Sequence, residues 1–96
     1  MKYRPTVSIL LAILETIHSS KGANISRIST RANISHARLR VKLDEMESAG
    51  LVARANSPRE GARFFTLTDK GRQALFTLRE LTSFLSSLGL LPQDEI

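Results

Sequence analysis

Residues 26–52 read SRISTRANISHARLRVKLDEMESAGLV, and the rest of the chain is interpreted from this stretch. Ser26 is an N-cap candidate for a short helix over Arg27–Ala32, with Ile25 at the position of a hydrophobic staple. Ser35 is a second N-cap candidate, with Ile34 in the same staple position. Beyond it Leu39, Leu43 and Met46 recur at spacings of four and three, which puts them on one helix face. Gly50 is expected to end that helix, and Leu51-Val52 to open an extended run. Two helices separated by little more than Asn33 and Ile34 make a helix-turn-helix candidate.

The third helix divides by charge. Its first half carries His36, Arg38 and Arg40, and its second half Asp44, Glu45 and Glu47, so only the first half suits a polyanion. Between Lys21 and Arg40 the basic residues are Lys21, Arg27, Arg31, Arg38 and Arg40, with no acidic residue among them. Residues 73–96 instead set Arg79 against Glu80, Asp94 and Glu95. The net charge of +5 is therefore concentrated towards the front of the chain, as expected of a protein that meets a polyanion with one face. An ordinary solvated surface on a basic protein would carry the same charges.

Before the motif, Thr6–Ile17 reads as a first helix, with Pro5 at its start, where a missing N–H does no harm. Val7, Leu10 and Leu14 line one side and Ile9, Ile13 and Ile17 a neighbouring one. Gly22 supplies a permissive backbone at its end, and His18 lies near the C-terminal dipole. After the motif, Leu51–Arg54 and Ala62–Thr66 are short strand candidates joined by the turn-rich ANSPREG. Alternation turns Phe65 and Leu67 inward and Arg63 outward. A basic hairpin directly after a helix-turn-helix is a winged arrangement.

Thr68 is the next N-cap candidate, with Asp69 in the first turn of a long helix from Lys70 to Leu88. Ala74, Leu78, Leu81, Leu85 and Leu88 form a heptad-like seam, widened by Leu75, Phe76, Phe84 and Leu91. A second half as apolar as LTSFLSSLGLL is costly to leave in water, which points to a homodimer. A hairpin folding back through Gly89 is the other way to cover it. PQDEI reads as a frayed tail.

The 96 residues fit one small domain. An apolar content of 42% with four Phe, one Tyr and no Trp implies a small aliphatic core. The absence of cysteine removes disulfides and thiolate metal sites and fits a reducing interior. The apolar run Ile9 to Leu14 is too short to span a membrane. It is broken by Glu15 and precedes no cleavage signal, so a soluble mature chain is expected. His18 and His36 have no partnering pair of carboxylates, and no Gly-rich phosphate loop or zincin pair occurs. No catalysis, metal or cofactor is expected.

The candidate contacts with double-stranded DNA lie first on the third helix, with His36 and Arg40 for base edges and Ser35 and Arg38 for backbone. Ala37 and Val41 suit apolar contact with base methyls, and equally a helix packed on both sides. Arg27 and Arg31 are candidates for flanking phosphates, or plain surface. Arg54, Arg59 and Arg63 form the wing set, Arg59 foremost because it sits in the loop. The dimer interface is expected at Leu78, Leu81, Leu85 and Leu88.

The same stretches resemble the small archaeal winged-helix DNA-binding proteins, including the ten-kilodalton Sulfolobus chromatin proteins and related archaeal regulators. The resemblance spans roughly Ile9 to Leu85. It is carried by Ser26, the junction Ala32-Asn33-Ile34-Ser35, the stripe Leu39, Leu43 and Met46, Gly50-Leu51-Val52, and Leu67-Thr68-Asp69-Lys70-Gly71. His36 and Lys42 depart from it, standing where that family often has aromatics, and Gly89 leaves a short final arm. The resemblance implies a homodimer joined through the C-terminal helices, with the third helices and wings facing duplex DNA.

The expected fold is thus mainly α with a small β-hairpin: a winged helix-turn-helix over residues 1–67, a C-terminal dimerisation helix over 68–91 and a tail over 92–96. The expected function is that of a dimeric transcriptional regulator, cytoplasmic and nucleoid-associated. A weakly sequence-specific chromatin protein and a protein-interaction module without DNA binding are the alternatives.

Overall fold

The computed structural model describes residues 6–57 and 61–90, with residues 6, 57 and 61–63 described through their backbone alone. Among the described residues seven elements follow in order: α1 (Thr6–Ser19), β1 (Ala23–Asn24), α2 (Ile25–Ala32), α3 (His36–Ser48), β2 (Val52–Ser57), β3 (Gly61–Leu67) and α4 (Asp69–Ser87). The fold is mainly helical with a small antiparallel hairpin between helices, as the sequence predicts. Pro5, Arg59, Leu91 and the PQDEI tail lie outside the described residues.

The three strands are antiparallel in the order β1-β3-β2. Strand β1 has no counterpart in the sequence reading, because two residues carry no alternation pattern. It pairs Ala23 with Phe65 and Asn24 with Phe64, which tethers the start of the helix-turn-helix to the hairpin. Gly22 makes that approach possible. Its φ of 116° is in the region that favours glycine, and a Cβ there would lie 2.5 Å from the Phe64 ring.

The β1 pairing corrects one helix start. Asn24, not Ser26, caps α2: it has extended backbone angles and its side-chain oxygen accepts the Arg27 N–H at 2.8 Å. Ser26 is an exposed residue inside the first turn, and Ile25 is buried within the helix rather than stapled ahead of it. The helix starts early because its cap is the last residue of the strand. At the other end Asn33 adopts left-handed angles (φ 56°), one of the few side chains that does so at low cost. The Ser29 hydroxyl donates to the Ile34 carbonyl at 2.6 Å, bracing the turn.

The core is aliphatic around one aromatic ring. Ile13, Leu14, Ile17, Ile28, Leu39, Leu43, Leu75 and Phe65 are all essentially solvent-free. Leu11 is also buried, whereas Val7 is about half exposed (48%), so the apolar face of α1 is rotated from the one anticipated. Val52 and Phe65 seat the sheet on this core. Thr16 is buried without penalty because its hydroxyl donates to the Ala12 carbonyl at 2.9 Å.

The start of α4 is latched onto the α3–β2 connection. Thr68 caps the helix by accepting the Gly71 N–H at 2.9 Å, and its hydroxyl donates to the Gly50 carbonyl at 2.5 Å. The Thr68 N–H donates to the Leu51 carbonyl at 3.1 Å. At Gly71 the helix passes so close to Leu51 that a Cβ would overlap the Leu51 carbonyl oxygen. Farther along, Arg79 donates to Glu15 through Nε (2.8 Å) and Nη2 (2.5 Å), a two-point strap from α4 to α1. The Arg79 guanidinium also lies 5.6 Å from the centre of the Phe76 ring, and His18 meets that ring edge-on at 5.7 Å.

Two measurements test this packing. Gly71→Ala should lower stability by about 1–3 kcal/mol in urea unfolding, the usual cost of forcing an extra methyl into a closed contact. The second concerns Glu15, whose carboxyl is held below its usual 4.5 by the hydrogen bonds from Arg79. Burial opposes that shift, and the charges of Arg79 and His18 assist it. A carboxyl with a depressed folded pKa contributes stability above its unfolded pKa and loses it as pH falls through the folded value. Glu15→Gln should therefore give a flatter dependence of Tm on pH below 4.5 than the native chain.

Candidate nucleic-acid interface

Burial of Leu39, Leu43 and Met46 fixes the rotation of α3 about its axis. Ser35 caps the helix with extended angles and accepts the Arg38 N–H at 3.2 Å. With 100° between successive residues, Ala37 and Val41 fall on the crest opposite the buried stripe. His36 and Arg40 lie on one flank of that crest and Arg38 on the other. Ser35, His36, Ala37, Arg38, Arg40 and Val41 are all exposed. His36, Arg38 and Arg40 take part in no ion pair among the described residues. A capped helix start with its first N–H groups facing outward, flanked by cations, is chemically suited to phosphate and base edges.

The acidic half of α3 is partly neutralised from the hairpin. Arg54 on β2 donates to Glu47 through Nε at 3.1 Å, and its Nη2 lies 3.5 Å from Asp44. Its guanidinium also covers the Phe65 ring at 5.1 Å. Arg54 is thus drawn back against α3. This takes Arg54 away from the wing set expected from its place in the sequence, because Asp44 and Glu47 come within its reach only when β2 folds back beside the helix. Lys42 pairs with Glu45 at 3.5 Å, which softens the remaining acidic residue.

The other candidates are distributed around this centre. Arg40 lines a hollow between α3 and the sheet, with Ile25, Leu43, Asp44, Arg54 and Phe65. Arg27 and Arg31 are exposed on α2 but line a different, open cleft with Ser19, Ser20, Asn24 and Phe64, so one cleft does not gather all the arginines. Arg63 stands on β3, where only its backbone is described, and Arg59 lies outside the described residues. On α4, Leu78 packs partly against the core and Leu85 is half-buried, while Leu81, Phe84 and Leu88 are about half exposed or more. Among the described residues no group of three or more His, Asp or Glu side chains could hold a metal ion, and no helix is long and apolar enough to cross a membrane.

A family profile for winged helix-turn-helix proteins matches residues 3–86, and the chain belongs to that family. No curated protein sequence matches the chain. Its fold is similar to that of Sso10a-2, a DNA-binding protein from Sulfolobus solfataricus, with a TM-score of 0.74, 20% identity, and coverage of 88% of this chain and 85% of that one. CouR, a transcriptional repressor whose structure holds a 23-mer DNA duplex, is 30% identical with a TM-score of 0.69. There the match covers 76% of this chain and only 52% of that one. MarR from E. coli matches at 21% identity and a TM-score of 0.73, over 90% of this chain and 66% of that one. The chain is therefore a winged helix-turn-helix protein whose fold is shared with DNA-binding regulators. The likeness to Sso10a-2 is one of fold, and the MarR-type matches mean that the ten-kilodalton chromatin proteins are not singled out.

Arg54→Ala should cost about 0.5–2 kcal/mol of stability, the sum of exposed ion pairs and a surface cation–π contact. Urea unfolding at low and high salt would measure it, with most of the ionic part gone at high salt.

Proposed function

We propose that this protein is a dimeric transcriptional regulator that binds double-stranded DNA with the N-terminal half of α3 in the major groove. The observation that carries the reading is the exposed surface formed by His36, Arg38 and Arg40 on a helix locked by its buried stripe, with the acidic half of the same helix tied to Arg54. CouR, seen on a DNA duplex and 30% identical, supports it. In this reading Ser35 and Arg38 hold phosphates, while His36 and Arg40 reach base edges. Arg27 and Arg31 meet the backbone beside the groove, and the hairpin with Arg59 and Arg63 reaches the neighbouring backbone or minor groove. The working location is the nucleoid, and no cofactor is needed.

Residues 1–67 form the reading head and 68–91 the arm that joins two copies. The joining surface is the stripe Leu81, Phe84 and Leu88, exposed at 48%, 61% and 55%. Those positions step by three and four, as a helix–helix seam requires. Leu78 and Leu85 lie at its margin, on the side that turns towards the core.

A second reading, a chromatin protein of low sequence preference, is favoured by the net charge of +5 and the fold shared with Sso10a-2. Competition binding at several salt concentrations separates the two. A regulator should prefer its operator over random duplex by about a thousandfold or more, and a chromatin protein should show little preference and a steep salt slope.

Replacing Arg38 and Arg40 together by Ala should weaken duplex binding by about 1–3 kcal/mol for each arginine that hydrogen-bonds a base edge. If either arginine holds a phosphate instead, its removal should flatten the salt slope by about one. Unchanged affinity would exclude α3 as the DNA-binding element and favour a protein-interaction module. For the dimer, Leu81→Glu should sediment as a folded monomer, because the side chain is already half in water within one chain. An unaltered dimer would rule out this stripe as the interface.

A further inference from the structure

Two residues of α3 stand out by being apolar where the helix is most exposed. Val41 is 56% exposed and Ala37, one turn earlier on the same meridian, is exposed too. The sequence allowed a helix buried on two sides. The structure excludes that within one chain, since the buried residues of α3 are confined to Leu39, Leu43 and Met46. A single exposed apolar residue is ordinary on a protein surface. What distinguishes this pair is its company: Arg40 and His36 on one flank, Arg38 on the other, and Asp44, tied to Arg54 at 3.5 Å, ending the crest. A β-branched valine is also a mediocre helix former, so helix propensity does not account for it.

From this surface we infer that the crest of α3 reads the 5-methyl groups of thymine, which makes Ala37 and Val41 specificity-determining residues. The inference rests on the DNA-binding function proposed above. In the major groove the thymine methyl is the apolar group that the base edges offer, and small apolar side chains are its match. Ala37 and Val41 lie about 6 Å apart along the axis, close to two base steps of about 3.4 Å. The crest thus spans two thymines on neighbouring or next-neighbouring pairs, while the flanking cations hold phosphates and purine edges. Cytosine presents no such methyl. The flanking cations then supply phosphate contacts and purine readout, and the crest adds the discrimination of thymine from cytosine.

The test uses the full chain and duplexes selected by it from a random pool. In each selected duplex, thymines are replaced one at a time by deoxyuridine, which removes the methyl and leaves the pairing edge unchanged. One or two positions should lose about fourfold in affinity, the equivalent of one buried methyl. Val41→Ser, expected to fold because the side chain is exposed, should bind thymine and uracil duplexes equally at its position. Equal binding of both duplex types by the native chain would overturn methyl reading while leaving DNA binding intact. So would a loss of the same size in Val41→Ser, which would trace the effect to DNA shape. Failure to retain any duplex would overturn the DNA-binding function and this inference with it.

Discussion

Burial of Leu39, Leu43 and Met46 is the constraint on which the rest of the molecule depends. These three side chains are the only buried residues of α3, and they meet a core built from α1, α2, the sheet and the first half of α4. Because a helix is rigid, fixing one face fixes every other side chain on it. The outward direction of Ala37 and Val41, and the flanking of that crest by His36, Arg38 and Arg40, follow from the inward direction of the stripe. The cap at Ser35 and the left-handed turn at Asn33 then set where the helix begins.

The remaining elements hold that helix at one angle. Strand β1 ties the start of α2 to β3, and Thr68 ties the start of α4 to Gly50 and Leu51 just beyond the end of α3. Gly22 and Gly71 sit where chain segments approach too closely for a side chain, so both tethers are steric as well as hydrogen-bonded. The Arg79–Glu15 strap secures the middle of α4 to α1 and turns Leu81, Phe84 and Leu88 away from the core. A helix held this way presents an apolar stripe in fixed relation to α3, as the proposed two-fold pairing on a duplex would require.

Electrostatics refine the division of labour along α3. The helix begins basic and ends acidic, which would weaken a field directed at DNA if the charges were all free. Arg54 counters this by engaging Asp44 and Glu47 from the adjacent strand. These exposed pairs add little to stability. They set one cation against two of the acidic side chains of the second half, while His36, Arg38 and Arg40 in the first half take part in no ion pair among the described residues.

Much of this was legible in the sequence, and the legible part is local. The caps at Ser35 and Thr68, the glycine stop at Gly50, the 39/43/46 stripe and the hairpin all come from residues a few positions apart, where helix and strand periods leave a direct imprint. What required tertiary structure joins residues far apart or too few to make a pattern. The two-residue β1 moved the cap of α2 from Ser26 to Asn24. The fold-back of β2 took Arg54 from the wing to α3. The strap between Glu15 and Arg79 spans 64 positions and bears on which side of α4 stays in water. A periodic pattern states that a helix has an apolar face. Only packing decides how much of that face is used within the chain and how much remains for a partner.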